Sequence, residues 1–153
     1  MVIVRKAAAR DIPDILRLYR QLEITTSAVE ENKQPTADDY RKVFDHINSF
    51  PGMDLVVAED QEQVIGSLEI LVVPNLSHKG LPWALVENVI VDEARRQAGV
   101  GRQLMEYAIN RAKAAGCYRI SLSSNNSRKD AHRFYEALGF KGSSIGFRLY
   151  LQS

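Results

Sequence analysis

The feature that most constrains this fold is the order of four segments between residues 83 and 122. An apolar stretch is followed by a turn that contains glycines, by apolar residues at helical spacing, and by a second apolar stretch. Residues 83–91 are apolar on both faces, as expected of a strand in the middle of a sheet. Gly99 and Gly101 follow where a helix must begin, and apolar residues at helical spacing continue it until Gly116. Residues 118–122 then have the composition of another strand. The sequence therefore predicts a strand-helix-strand crossover.

Similar patterns on either side of this unit predict the remaining elements. Amphipathic helices are expected to start at Asp11, at Thr36 with Asp39 three residues later, and at Ser127 with Asp130 in a capping-box-like arrangement. The composition of the remaining segments predicts strands at residues 2–4, 54–59, 64–73 and 145–151, a tight turn at 60–63, and polar loops at 23–35 and 74–82.

Length and composition favour one domain that spans residues 1–153. A chain of 153 residues that is 45% hydrophobic can bury one sizeable core but not two. Its 20 basic and 19 acidic residues leave a formal charge of +1, which provides no bulk attraction for nucleic acid or for an anionic membrane. One cysteine, no metal-ligand spacing and no apolar run of about 18 residues favour a cytoplasmic protein without a bound metal, a membrane span or a leader.

The turn before the predicted helix has the features of an anion site. The first N–H groups of a helix lack internal partners and lie at the positive end of its dipole, so they bind phosphate oxygens. Gly99 and Gly101 carry no β-carbon to obstruct such an approach. The spacing matches neither a nucleoside-triphosphate loop nor a dinucleotide fingerprint. The residues alone are consistent with two interpretations, an anion site and a tight turn without a ligand.

Two ordered motifs resemble the GNAT superfamily of acetyl-CoA-dependent N-acetyltransferases. The first is Val89-Ile90-Val91 followed by Arg96-x-x-Gly99-x-Gly101, and the second is Ala131-His132-Arg133-Phe134-Tyr135-Glu136-Ala137-Leu138-Gly139-Phe140. The resemblance is strongest from residue 87 to residue 141. It implies an α/β fold with a central mixed, mostly antiparallel sheet of six to seven strands flanked by about four helices. This sheet would splay open between the strands at 87–91 and 118–122.

The resemblance also implies acetyl-CoA as cosubstrate, with its pantetheine arm in the splayed gap and its pyrophosphate on the glycine turn. Where many relatives carry an asparagine, this chain has Arg128, so Asn125 or Asn126 is left to contact the arm, and Arg128 or Lys129 is an alternative partner for the 3′-phosphate. The cofactor-binding residues expected on this basis are Val89, Ile90, Val91, Arg96, Gln97, Ala98, Gly99, Val100, Gly101, Arg102, Asn126 and Tyr135.

Acetyl transfer to an amine requires a neutral nucleophile, and a lysine-like amine is neutral in roughly one molecule in several thousand at pH 7. A base is therefore needed, and Glu87 is the candidate because it interrupts an apolar strand, on the face expected to carry Val89 and Val91. A structural ion pair or hydrogen bond within the sheet is the alternative role for Glu87. Asn88 is expected on the opposite face as a core amide.

The thiolate that leaves CoA needs a proton, and the resemblance assigns that acid to Tyr135. A phenol has an ordinary pKa of about 10, near that of an alkyl thiol. The alternative is that Tyr135 only completes an apolar helix face with Phe134 and Leu138. Transfer through an acetylated Cys117 is disfavoured, because nothing nearby in sequence would lower the pKa of its thiol.

These expectations combine into an enzyme that transfers acetyl from acetyl-CoA directly to a primary amine of a small molecule or peptide in a ternary complex. A non-catalytic acyl-CoA-binding regulatory module is the alternative. The loops at 23–35 and 74–83 are expected to form the acceptor pocket. No nucleic-acid or membrane partner is expected. The oligomeric state is open, with the homodimer as the commonest assembly.

Overall fold

The computed structural model describes residues 1–22 and 34–151. Apart from one helical turn inside the predicted loop at 74–82, its elements follow the predicted order from residue 1 to residue 114. They are β1 (Ile3–Lys6), α1 (Ile12–Leu22), α2 (Ala37–Ser49), β2 (Met53–Asp60), β3 (Gln63–Val73), the one-turn α3 (Ser77–Gly80), β4 (Trp83–Val91), α4 (Val100–Ala114), β5 (Ile120–Ser121) and α5 (Lys129–Ala137). The predicted loop at 23–35 lies largely outside the described residues.

The strands form one mixed sheet in the order β1-β2-β3-β4-β5. All neighbours are antiparallel except β4 and β5, which are parallel and enclose the α4 crossover. The predicted α/β class with a mixed, mostly antiparallel sheet is confirmed. The expected strand and helix numbers are wrong, because the described chain has five strands rather than six to seven, and five helices if the single turn of α3 is included.

The missing strand is the one predicted at residues 145–151. Its apolar side chains alternate as in a strand, yet Ile145, Phe147 and Leu149 are between 81% and 91% exposed. A strand exists only where its backbone pairs with a neighbour, and within the described chain this segment pairs with none. The predicted strand at 118–122 is likewise reduced to Ile120–Ser121.

Helices α1 and α4 cover opposite faces of the sheet. Ile15 and Leu18 of α1 pack with Val57, Val64 and Ile90. The other face is larger, and there α4 contributes the buried side chains of Val100, Leu104, Met105, Ala108 and Ala112, which pack on Val56, Leu68, Ile70, Ala84 and Val86. No helix within the two described ranges has the length and apolarity needed to cross a membrane.

The predicted start of α2 is confirmed, whereas that of α5 is wrong. Thr36 Oγ1 accepts the Asp39 N–H at 3.1 Å, and Asp39 Oδ2 accepts the Thr36 N–H at 2.9 Å. Before α5, Asn125 Oδ1 instead accepts both the N–H and the hydroxyl of Ser127, at 2.9 and 2.8 Å. This local turn occupies the Ser127 hydroxyl, so α5 starts one residue later, after Arg128, without a side-chain cap.

A β-bulge in β4 changes the direction of the side chains beyond it. Ser67 lies opposite Ile90, but Glu69 lies opposite Glu87, so Asn88 and Val89 together face one residue of β3. Asn88 has a φ of +53°, in the left-handed region. An extra residue of this kind offsets the alternation of faces along a strand.

The bulge makes one sequence expectation wrong. Before it, Val86 points toward α4, whereas beyond it Val89 and Val91 point toward α4 and Ile90 toward α1. Glu87 therefore does not share a face with Val89 and Val91, and it lies on the α1 side of the sheet. Strict alternation of side chains holds only for a regular ladder.

A charged network joins the start of the chain to the sheet. The guanidinium of Arg5 donates to both carboxylate oxygens of Asp11, at 2.8 and 3.0 Å, and also to Glu59. Asp11 Oδ2 additionally accepts the Ala8 N–H at 2.7 Å. Asp11 is only 4% exposed, so these bonds compensate the desolvation of its charge.

We expect Asp11→Ala to lower the free energy of unfolding by about 2–4 kcal/mol at pH 7, because it removes both hydrogen bonds between Arg5 and Asp11 and leaves the Ala8 N–H without its acceptor. Burial acts to raise the pKa of Asp11, but the bonds from Arg5 and Ala8 outweigh it and lower that pKa. Stability from a carboxyl with a lowered pKa is present above the unfolded pKa and is lost as pH falls through the folded pKa. The difference should therefore shrink in acid.

Urea unfolding at pH 7 and at progressively lower pH measures this effect. Asp38→Ala is the matched control, since the Asp38 side chain is 81% exposed and, within the described parts of the chain, forms its ion pair with Lys42 of the same helix. Equal losses of stability in the two variants would contradict the role given to Asp11.

Candidate functional site

A cleft of about 970 Å³ lies between β4, the start of α4 and helix α5. This is the size of a typical small-molecule or cofactor site. Its walls come from four consecutive parts of the predicted motifs, namely the end of β4 (Val89, Ile90 and Val91), the turn (Arg96 and Gln97), the start of α4 (Gly99, Val100, Gly101 and Arg102), and α5 with the residues before it (Ser127 to Ala131, Arg133, Phe134, Tyr135, Ala137 and Leu138).

The cleft exists because β5 pairs with only a short part of β4. The parallel ladder joins Ala84 to Ile120 and Leu85 to Ser121, and then ends. From Val86 to Val91 the β5-side edge of β4 has no neighbouring strand in the described chain. Such an edge presents unpaired backbone N–H and C=O groups to any extended ligand.

The start of α4 presents a second set of unpaired backbone groups. Gly99 caps the helix, and the first intrahelical bond runs from the Gln103 N–H to the Gly99 carbonyl at 3.1 Å. The N–H groups of residues 99–102 therefore have no intrahelical acceptor, and no side chain of the described residues caps them. They lie at the positive end of the helix dipole and in the wall of the cleft.

The two glycines of the turn serve different purposes. Gly99 has a φ of +82°, and a β-carbon there would meet open space, so backbone conformation is what requires glycine. A β-carbon on Gly101 would instead lie 3.3 Å from Cζ of Phe134 and 3.6 Å from Val91. Gly101 thus keeps α4 close to the aromatic side chain of α5.

Cations surround these amides. Five basic side chains line the cleft, and the acidic side chain among its lining residues, Asp130, is paired with Arg133. Arg96 Nε also donates to the Val91 carbonyl at 3.4 Å, across the turn. The lining is therefore suited to an anion, although the whole chain is nearly neutral. The five are Arg96, Arg102, Arg128, Lys129 and Arg133.

Tyr135 lies where the cleft meets the core. It is 9% exposed, lines the cleft, and packs against Phe134 and Phe140 with ring centroids 5.2 and 6.0 Å away. Burial raises the pKa of its phenol, with a smaller opposing effect from Arg128. The hydroxyl therefore stays protonated at neutral pH and is able to donate a proton. The packing of Tyr135 is equally consistent with the alternative role, in which it only completes an apolar helix face.

A cluster of polar side chains around Glu69 lies on the α1 side of the sheet. Tyr19 Oη donates to Glu69 Oε1 and Asn88 Nδ2 donates to Oε2, both at 3.3 Å, while Glu87 lies directly opposite in the ladder. Burial raises the pKa of Glu69, the two hydrogen bonds oppose that rise, and the charge of Glu87 adds to it. Asn88 is exposed here, so the prediction of a core amide is wrong.

Glu69 was absent from the residues predicted from sequence. It interrupts an apolar strand exactly as Glu87 does, so the same criterion applied to β3 would have found it. Its partner Tyr19 lies 50 residues away in the chain, which no local pattern links to it.

The structure brings most of the predicted cofactor residues together. Ala98 and Asn126 are exceptions, since both are exposed and neither is among the residues that line the cleft. Glu87 is adjacent to the cleft in sequence but points to the α1 side. Among the described residues, no three His, Cys, Asp or Glu side chains form a group that could hold a metal ion.

Solved structures with the same fold cover almost the whole chain. The chain is 32% identical to a candidate acetyltransferase from Agrobacterium tumefaciens str. C58, with a TM-score of 0.86 over 97% of this chain and 99% of that one. It is 31% identical to a transcriptional regulator from Bacillus halodurans C-125, with a TM-score of 0.86 over 99% of this chain and 100% of that one.

One curated relative matches a shorter part of the chain. The aminoalkylphosphonate N-acetyltransferase of Salmonella typhimurium is 32% identical over 97 residues, which are 63% of this chain and 62% of that protein. The chain thus spans less than two thirds of the length of this relative.

A sequence model of the acetyltransferase (GNAT) family matches residues 15–140. This match includes the unpaired edge of β4, the glycine turn and all of α5, which are the parts that build the cleft. The chain therefore belongs to the GNAT family of acetyltransferases.

Proposed function

We propose that this protein is an acetyl-CoA-dependent N-acetyltransferase that acetylates a primary amine of a small molecule or peptide. The observation that carries the proposal is the cleft in which the unpaired amides of residues 99–102, the open edge of β4 and five cations converge. An elongated thioester with a pyrophosphate matches all three. Membership of the GNAT family supports the same donor.

In this proposal the pyrophosphate binds the amides at the start of α4, and the pantetheine arm follows the edge of β4 at Val89 and Val91. Arg96 holds the turn closed through the Val91 carbonyl. Arg128 and Lys129 supply positive charge at the other wall for the remaining phosphate. The asparagine contact common in relatives is not assigned to Asn126, because that residue is outside the lining of the cleft.

The bulge suggests how the two substrates meet. Glu87 lies on the α1 side of β4, whereas Tyr135 lies on the α4 side, in the cleft. The acceptor amine would approach from the first side and the thioester from the second, across the open edge. Glu87, directly or through water, takes the ammonium proton, the amine nitrogen bonds to the acetyl carbon, and the C–S bond breaks as Tyr135 protonates the thiolate. The nitrogen then releases its second proton to solvent, and the Tyr135 phenolate takes a proton back from solvent.

Direct transfer is favoured over an acetyl-cysteine route. Cys117 follows α4, where its N–H donates to the Ala112 carbonyl, and it is not among the residues that line the cleft. Burial raises the pKa of its thiol, with a smaller opposing effect from Arg111. A protonated thiol is a weak nucleophile.

We expect Gly101→Glu to weaken acetyl-CoA binding roughly 100-fold, because the new side chain meets Phe134 and places a negative charge beside the pyrophosphate site. Calorimetric titration with acetyl-CoA measures this affinity. Ala114→Glu is the control, since it adds the same charge at the far, exposed end of the same helix. Unchanged affinity in a folded Gly101→Glu protein would contradict the assignment of the pyrophosphate to the amides at the start of α4.

For the base, Glu87→Gln is expected to lower kcat at pH 7 by roughly 10²–10⁴-fold, with recovery as the pH approaches the pKa of the amine. Amine-dependent thiol release, followed against pH, reports this effect. Undiminished activity of Glu87→Gln at every pH would leave Glu87 with a structural role only.

For the acid, Tyr135→Phe is expected to lower kcat by roughly 100-fold while acetyl-CoA affinity stays unchanged, because the ring keeps its packing and only the proton donor is lost. Tyr107→Phe removes a hydroxyl from another partly buried tyrosine, on α4, and serves as the control. If both variants turn over equally, Tyr135 only completes the apolar helix face.

A non-catalytic acyl-CoA-binding regulatory module is the second candidate, and the similarity to a transcriptional regulator favours it. Such a module would bind acetyl-CoA yet release no thiol with any acceptor. A panel of small amines, aminoglycosides, polyamines, peptides and an aminoalkylphosphonate separates the two. A cytoplasmic location and a homodimer stay predictions.

A further inference from the structure

A row of three side chains follows β4 along the α1 side of the sheet, ahead of the bulge. Ala84 and Val86 pack in the core on the α4 side. Because neighbouring residues of a regular strand point to opposite faces, Trp83, Leu85 and Glu87 lie on the α1 side. Four residues of strand separate the first of them from the last, which is about 13 Å. The row therefore begins at an aromatic ring and ends at the proposed base.

An arginine lies at the aromatic end of this row. Ile120 of β5 is paired with Ala84 and also packs on the α4 side, so its neighbour Arg119 lies beside Trp83 on the α1 side. The guanidinium carbon of Arg119 is 5.0 Å from the centre of the Trp83 ring and 5.5 Å from that of Tyr118. Both distances are those of cation–π contacts. Two aromatic rings thus fix the position of one positive charge.

The loop before β4 supports this arrangement. The His78 ring stacks on Tyr118, with centroids 3.9 Å apart and planes inclined by 13°. His78 and Lys79 have φ angles of +51° and +62°, a conformation that costs free energy in residues other than glycine. Strain of this kind is characteristic of places where a fixed geometry serves a function. The strained loop holds the aromatic stack, which in turn holds the arginine.

The charge of Arg119 is available to a ligand. Its Nε donates to Tyr118 Oη at 2.9 Å and its Nη1 donates to Ser121 Oγ. Both acceptors are neutral hydroxyls, so neither compensates the positive charge. A guanidinium has five N–H donors, and these two bonds of the described chain leave three. Arg119 is exposed, as is Glu87, whose ladder partner is Glu69. The two ends of the row therefore carry opposite charges.

The middle of the row is apolar. Leu85 lies opposite Leu71 of β3 on the same face of the sheet, and both side chains are partly exposed. Aliphatic side chains pack against a hydrocarbon or peptide spacer and gain stability from the area that they bury. From Glu87 to Arg119 the surface thus presents an acid, an apolar centre and a cation, in that order.

We propose that the acceptor is a primary amine with an anionic group, a carboxylate or a phosphate, roughly 10 Å from the nitrogen. This inference rests on the proposed function, because it names the acceptor class of that site. The amine lies at Glu87, the spacer packs on Leu85 and Leu71, and the free N–H groups of Arg119 bind the anion.

The length and charge of the site favour some amines over others. Three extended peptide residues span about 10 Å, so a tripeptide with a free carboxyl end matches the row. A polyamine would instead place its second cation beside Arg119, and this repulsion makes it a poor acceptor.

The inference is tested with alanyl-leucyl-alanine and its carboxyl-terminal amide, which share one amine and differ in one negative charge. We expect the KM of the acid to be roughly 10–100-fold lower than that of the amide, because only the acid gains charge-assisted hydrogen bonds. Amine-dependent thiol release measures both constants. The same peptide with a terminal phosphonate in place of the carboxylate distinguishes the two kinds of anion.

Substitutions of Arg119 assign the preference to this site. Arg119→Met keeps the apolar stem and should bring the ratio of the two KM values close to one, whereas Arg119→Lys keeps the charge and should restore part of it. Arg41→Met is the matched control. The Arg41 side chain is 57% exposed on α2 and pairs with Asp45 of the same helix, so this variant should retain the full preference.

Tryptophan fluorescence provides a readout that needs no acetyl transfer. Trp83 is the single tryptophan of the chain, and Arg119 lies against its ring. The acid should therefore change the emission at roughly 10–100-fold lower concentration than the amide, and Arg119→Met should abolish this difference, with circular dichroism showing that the variant is folded.

Equal binding of acid and amide by the unaltered protein, or a preference that survives Arg119→Met, would overturn the inference. The absence of thiol release with every amine would instead contradict the proposed transferase, and the fluorescence titration would still decide whether Arg119 binds the anion.

Discussion

Strand β4 is paired along its length with β3 but only at Ala84 and Leu85 with β5. In a sheet of five strands, this early end of one ladder leaves an edge in the interior of the molecule rather than at its border. The core tolerates the gap because α4 and α5 close over it from one side, and Gly101 lets Phe134 approach α4. The cleft, the open edge and the exposed helix start all follow from this one interruption.

The bulge at Asn88 divides the chemistry between the two faces of the sheet. Without the extra residue, Glu87 would lie on the same face as Val89, which lines the cleft. With it, Glu87 and Glu69 lie together on the α1 side, where Tyr19 and Asn88 hold the Glu69 carboxylate. The two carboxylates are thereby kept away from the basic side chains that line the cleft, which would otherwise neutralise their charge. This separation underlies the proposal that donor and acceptor approach from opposite faces.

Much of the fold was determined by sequence alone. The helix capped by Thr36, the strands of the β2-β3-β4 meander and the glycine turn depend on residues within a few positions of one another, so local patterns identify them. The resemblance of two motifs to the GNAT superfamily then indicated the donor site. Tertiary structure decided what local patterns cannot express. The bulge at Asn88 reversed the face of Glu87, Tyr19 met Glu69 across 50 residues, and the apolar alternation of residues 145–151 produced no strand, because a strand needs a neighbour and not only a pattern.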